Sequence, residues 1–247
     1  MAKGDEFKSS GITENTPKTV MLGAGTIHKE LEFVPTTYAK TSDVSVVQGK
    51  TYYTRSGSDP SYVYTPVANP ASGDIGTYYE ASGGAWNFDE SLICATSGGS
   101  KLTIAPEFYD VPVDGALVKV KGLTVKVGET ATLEINPIEL KADILKMALI
   151  GDEDESLTVP GYNEITSRAR INEGDYLENM GYVGKTIEGT PIIIVFDYAL
   201  CTSGLELEGK NKEAAVPAFT FECFADLTPE ADVLPWHIYY PTPESNG

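Results

Sequence analysis

Chemistry that depends on imidazole has little to draw on in this 247-residue chain, which holds two histidines, His28 and His237, neither with a ligand or nucleophile at motif spacing. Each reads as a surface or packed residue. The three cysteines, Cys94, Cys201 and Cys223, form no CxxC pair and leave an odd one over. They read as small buried apolar side chains, not as a disulfide framework. Gly23-Ala24-Gly25 lacks the third glycine and the following helix of a dinucleotide fingerprint, and no GxSxG, P-loop, HExxH or N-glycosylation sequon occurs. The densest carboxylate run is Asp152-Glu153-Asp154-Glu155. Read as a calcium loop it has Leu157 where Gly is needed and Asn163 where Glu is needed, so it reads as a solvated turn. These residues predict no catalytic centre, no metal and no cofactor, and hence no enzyme.

The elements that carry the residues are more informative. Acidic side chains outnumber basic ones 36 to 18, for a net charge of -18, which excludes binding through a basic phosphate-contacting surface. The opening MAKGDEFKSS has no apolar core, and no apolar run approaches the roughly 20 residues that span a bilayer. A soluble chain made in a cytoplasm is expected. With 24 Gly and 15 Pro, it has the texture of one large all-β domain or two small ones.

The organising stretch runs from Tyr109 to Ile150. Leu123, Val125 and Val127, then Ala131, Leu133 and Ile135, alternate with polar residues, the period of two of half-buried strands. A three-residue loop, Gly128 to Thr130, would keep both sets on one face by pairing Val127 with Ala131 and Leu123 with Ile135. Val118 and Val120 are out of phase with Leu123, so Gly122 predicts a bulge or bend. A helix over 137–150 follows, with Asn136 as cap, Pro137 in the first turn, Glu139 completing a capping box and Gly151 beyond its end. Its apolar residues sweep roughly 220° of the wheel, too wide for a surface helix. It is expected to be wedged between sheets or to meet another subunit.

Elsewhere, residues 1–18 and 230–247 read as polar or Pro-rich arms. Thr19 to Phe33 reads as a strand around Gly23 and Gly25, Leu102 and Ile104 alternate, and Ile165 to Ile171 predicts a strand with one basic face. Ile192 to Phe196 is apolar without a break, as in a strand covered on both sides, and Phe219, Phe221 and Cys223 mark the last core strand. Residues 36–84 change character and hold seven of the 14 tyrosines, with Thr51-Tyr52-Tyr53 echoed by Thr77-Tyr78-Tyr79. They predict an inserted β module with tyrosines in a shallow core, and a sugar-binding surface is the sharper alternative.

The succession MLGAGTIHKELEF, ATSGGSKLTIAPEFYDVPVDGALVKVKGLTVKVGETATLEINPIEL, the ADILKMAL helix, YLENMGYVGKTIEGTPIIIVFDYAL, AFTFECFADLTP and HIYYP resembles the major tail tube proteins of long-tailed bacteriophages. The resemblance spans 19–33 and 86–241 and leaves out the Tyr-rich segment. It implies a mainly β fold, an antiparallel β-sandwich or partial barrel with one flanking α-helix, in a discontinuous domain over 19–35 and 85–229. It further implies hexameric rings stacked into a virion tube, made in the host bacterial cytoplasm. Its partners would be other copies of the chain, the tape-measure and tail terminator or tip proteins, and genomic DNA passing without specific binding. On this reading Glu129, Glu134, Glu173, Asp175 and Glu178 are candidates to face the lumen. Leu140, Ile144, Leu145, Met147 and Ala148 are candidates for a subunit-interface helix. Two alternatives stay open: a secreted or surface β-sandwich binding carbohydrate through the Tyr-rich insert, and the tube of a phage-derived injection device.

Overall fold

Five consecutive apolar residues, Ile192 to Phe196, need cover on both faces, and the larger sheet is built outward from them; all five are buried. The computed structural model describes residues 16–115, 117–209, 211–212, 214–226 and 233–241. In chain order its strands are Met21–His28 (β1), Phe33–Lys40 (β2), Tyr53–Ser58 (β3), Ser61–Pro66 (β4), Tyr79–Trp86 (β5), Leu92–Cys94 (β6) and Thr96–Asp110 (β7). Thr124–Pro137 (β8), Gly151–Glu155 (β9), Asn163–Ser167 (β10), Leu177–Thr186 (β11), Pro191–Cys201 (β12), Phe219–Phe224 (β13) and Trp236–Tyr239 (β14) follow. The helices are Thr16–Thr19 (α1), Phe88–Ser91 (α2) and Ala142–Leu149 (α3). Among the described residues the protein is mainly β, with antiparallel sheets and no closed barrel. The described residues through Leu31 together with those from Ser91 onward form one compact unit, and Glu32–Glu90 forms another.

The main sheet of the larger unit runs in the order β6-β1-β11-β12-β13-β8-β7. β12 is long enough to serve two neighbours on one edge: Tyr198 to Cys201 pair with β13, and Ile193 to Phe196 pair with β14. Alternation sets the core. Ala131, Leu133 and Ile135 of β8 and Phe219 and Phe221 of β13 point inward, with Phe221 opposite Leu133 and Phe219 opposite Ile135. Burying each of the larger side chains stabilises the fold by about 1.5–3 kcal/mol. α3 adds Ile144 and Ala148 to the same core. In β1, register shifts between Leu22 and Thr26, and Gly25 has φ +68°. A Cβ at Gly25 would lie 2.5 Å from the Tyr182 ring, so only glycine lets β1 pass there.

The predicted hairpin turn at Gly128 is not formed. β8 runs unbroken for 14 residues. An odd loop and an uninterrupted strand give the same alternation, so the pattern alone does not separate them. Gly128 instead lies opposite Glu107, beside a register shift in which Phe108 pairs with Lys126 and one residue of β8 is extra. The turn joining β7 to β8 lies earlier, in residues 111–123, where Gly122 takes φ +93° and Val118 and Val120 belong to no strand.

The predicted helix over 137–150 is shorter, starting at Ala142. Asn136 and Pro137 remain in β8: Pro137 sits opposite Thr96, and the Asn136 amide donates to the Gly99 carbonyl at 3.2 Å instead of capping. A residue before proline is biased to extended backbone, which favours prolonging the strand. The helix N-cap is Lys141, without a side-chain cap bond, and Ile150 ends the helix at φ 50°.

Three further expectations are corrected. The acidic run 152–155 is not a turn but most of β9, paired with β10, with Glu153 opposite Ile165. Lys146 lies 3.0 Å from the Glu153 carboxylate and Arg168 lies 3.1 Å from that of Asp152, which offsets the charge repulsion along the strand. The strand expected from Ile165 to Ile171 stops at Ser167, because Arg168 turns to bind Asp152 and Asp175. Within the expected C-terminal arm, residues 236–239 are β14 and lie in the sheet. Residues 1–15 of the N-terminal arm, and 230–232 and 242–247 of the C-terminal one, lie outside the described residues.

The smaller unit is a four-stranded sheet, β2-β5-β3-β4. Its two Thr-Tyr-Tyr copies are used alike. The first tyrosine of each, Tyr52 and Tyr78, is buried with Ile75, while the second of each, Tyr53 and Tyr79, pair directly across β3 and β5. The Tyr52 hydroxyl donates to Asp43 at 2.7 Å, so the buried ring keeps a polar partner. Lys50 bridges Asp43 and Glu80, and it holds the Asp43 carboxyl below the usual carboxylate range.

Candidate functional site

Of the side chains most suited to chemistry, His28 and the cysteines are buried or partly buried in packing. His28 is 2% exposed, and its two ring nitrogens meet the Ser91 and Thr26 hydroxyls at 2.8 Å each. Both ring nitrogens are thus taken by hydroxyl oxygens, and Ser91 itself is buried, so this serine and histidine join β1 to the end of α2. His237 lies 3.2 Å from Asp197 and helps fasten β14. Burial, then the charge of Asp197, pushes the Cys223 thiol up to about 12, and burial raises that of Cys94, which leaves both as poor nucleophiles. Among the described residues no group of His, Cys, Asp and Glu could hold a metal ion.

The five acidic candidates differ in what their carboxylates meet. Glu129 occupies an inward-phase position of β8, where Lys126 binds its carboxylate and the Trp236 indole N–H donates to it at 2.8 Å. Lys126 first, then Trp236, hold that carboxyl below its ordinary value against the opposing effect of burial. Glu134 pairs with Lys101 across β7 and β8 at 2.6 Å. Asp175 stands on a short 3-10 turn, Glu173–Asp175, where Arg168 binds it and it accepts the Asn172 backbone N–H at 2.7 Å. Glu173 and Glu178 are exposed. A wall presenting all five as free charges is therefore not built by one copy of the chain.

The helix candidates divide as well. Ile144 and Ala148 lie in the chain's own core and Met147 packs against it. Leu145 is half-buried, and Leu140 precedes the helix and is 41% exposed.

The far half of the β7–β8 hairpin, which the alternation of Val125 and Val127 predicts to be half-buried, is exposed. Phe108, Tyr109, Val111, Val113, Val125 and Val127 are all exposed, and in the connecting loop Leu117 is 99% and Val118 77% exposed. The signal was present in the run of valines, but it was assigned to a core. This loop is ordered by polar contacts at its base: Asp110 binds Lys119 at 2.5 Å and accepts from the Thr124 hydroxyl at 2.5 Å, and the Val111 N–H donates to the Leu123 carbonyl at 2.8 Å. Lys119 and then Thr124 hold the Asp110 carboxyl below the usual range. The same hairpin supplies a long sheet edge, since β7 ends the sheet order and runs for 15 residues. An apolar patch and an open edge on one element mark a surface built to be covered.

No protein-family model matches the chain, and a comparison with curated proteins returns no match.

Proposed function

We propose that the protein is a structural subunit that assembles with copies of itself into stacked rings, forming the tail tube of a long-tailed bacteriophage. The observation that carries this reading is the β7–β8 hairpin, with β7 last in the sheet order among the described residues and the apolar residues of its far half exposed. Pairing β7 with a strand of a neighbouring copy satisfies the backbone groups of the edge, and a ring of such pairings closes a barrel that one chain leaves open. The apolar loop at 111–120 is then covered by an adjoining copy or ring. Hexameric rings follow from the resemblance of the sequence, as do the tape-measure and terminator or tip proteins as end partners.

The charge balance supports the same reading. A net charge of -18 gives a wall of like sign to DNA, which passes without the counterion release that drives phosphate binding. Glu173 and Glu178, exposed in the single chain, are the acids best placed to act as free charges on such a wall. Electron microscopy of concentrated full-length protein tests the assembly, with rings or tubes as the expected result. A strict monomer by light scattering at the same concentration overturns it.

A further inference from the structure

One face of the smaller unit has no role in the assembly reading. On the β2-β5-β3-β4 sheet, Arg55 lies opposite Tyr64, Gly57 opposite Tyr62, Tyr53 opposite Tyr79, and Tyr38 opposite Ala81, so these side chains share a face. Tyr38 stacks on Tyr64 with centroids 3.9 Å apart and planes 7° from parallel. Tyr53 meets Tyr38 edge-on at 5.0 Å, and Tyr79 meets Tyr64 edge-on at 5.4 Å. The Arg55 guanidinium lies 4.3 Å from the Tyr62 ring centroid and 4.7 Å from that of Tyr79.

These rings are not the core of their unit, which is Tyr52, Ile75 and Tyr78 with Val46 and Val67. Tyr62 is 38% exposed, and Tyr38, Tyr53, Tyr64 and Tyr79 are partly buried beside it. The charge of the face is opposite in sign to that of the chain. Lys40, opposite Tyr79, and Arg55 stand on it, and the opposed positions named above include no carboxylate. Arg55 makes no ion pair among the described residues, although acids outnumber bases 36 to 18 in the chain. A cluster of tyrosines with Tyr62 exposed, and a guanidinium that lies over two of the rings without an ion pair, recognises two things together: the C–H face of a ring and an anion beside it.

We infer that this aromatic face of the Glu32–Glu90 unit binds an acidic polysaccharide, whose sugar rings stack on the tyrosines while its carboxylates pair with Arg55 and Lys40. A proline-rich peptide would also stack on tyrosine, but it gains nothing from the two cations. The inference stands apart from the assembly reading, since the face lies in the other compact unit from the hairpin.

The test uses the full chain at physiological salt, where a Debye length of about 8 Å confines the repulsion from the rest of the acidic surface. Polygalacturonate is titrated against wild-type protein, Arg55→Gln and Tyr62→Ala, with dextran, polyglutamate and a proline-rich peptide as comparison probes. Arg55 and Tyr62 are exposed, so both variants are expected to keep the wild-type circular dichroism. The expected result is polygalacturonate binding that weakens about tenfold or more in each variant, the loss of one charge-assisted or stacking contact, with no binding of dextran or polyglutamate. Absence of polygalacturonate binding, equal binding by both variants, equal binding of polyglutamate, or capture of the proline-rich peptide in its place overturns the inference.

Discussion

The Trp236 indole N–H donates to Glu129 at 2.8 Å, tying the last described strand to the middle of the long hairpin 107 residues earlier. Glu129 stands on the inward phase of β8 with a side chain 6% exposed, and Lys126 neutralises it. One carboxylate thus joins the hairpin to β14, which itself covers the Ile193 to Phe196 segment of β12.

This tie is sensitive to acid. The Glu129 carboxyl is held below the ordinary glutamate value of 4.5, so the stability it contributes is present above that value and is lost as pH falls through the lower, folded-state value. The chain has two tryptophans, so a Trp86→Phe background leaves Trp236 as the sole indole reporter. Its emission should stay constant from neutrality down to the ordinary glutamate range and shift only on acidification below it. In Glu129→Gln the amide oxygen can still accept from the indole, and the acid-dependent shift should vanish. An identical acid titration in both proteins would remove Glu129 as its origin.

Which face of α3 is spoken for can be read from stability. Ile144 is 3% exposed within the core, so Ile144→Ala should cost about 2–5 kcal/mol in urea unfolding. Leu140, 41% exposed before the helix, should cost within about 0.5 kcal/mol on the same change. Equal losses at the two positions would mean that the segment before Ala142 is packed like the helix.

Gly25 makes a third test, because two penalties coincide there. An alanine takes the left-handed region at a cost of about 1–2 kcal/mol, and its Cβ also meets the Tyr182 ring. Gly25→Ala should therefore lose more than the backbone cost alone, and adding Tyr182→Ala should recover the steric part in a double-mutant cycle. A cycle with no coupling would place the whole cost in the backbone.

The inward sets of the fold were legible because burial writes itself into alternation: Ala131, Leu133, Ile135, Phe219, Phe221 and the Ile192–Phe196 run are all core. Connections were less legible. At Gly128 a three-residue turn and an uninterrupted strand give the same alternation, and at Asn136-Pro137 the residues that begin a helix also suit the end of a strand. The pairing of candidate acids was hidden for another reason. Lys126 is three residues from Glu129, but Lys101 reaches Glu134 only through strand register, and Trp236 reaches Glu129 only through the fold. The exposed valines of 111–127 misled because local pattern reports an oily stretch without reporting whether its cover comes from the same chain.

That cover is the subject of the last prediction. Leu117 and Val118 are 99% and 77% exposed, so their side chains contribute almost nothing to the stability of the single chain. Leu117→Asp and Val118→Asp should leave the urea midpoint within about 0.5 kcal/mol of wild type. In an assembly they would place a carboxylate in an apolar contact, repeated in every copy, and burying an unpaired polar group costs about 1–3 kcal/mol each time. Sedimentation velocity over a range of concentrations should show the wild-type chain forming large species while both variants remain small. Variants that assemble as readily as wild type would leave the edge of β7 as the surface that joins copies, and would place the 111–123 loop outside the contact.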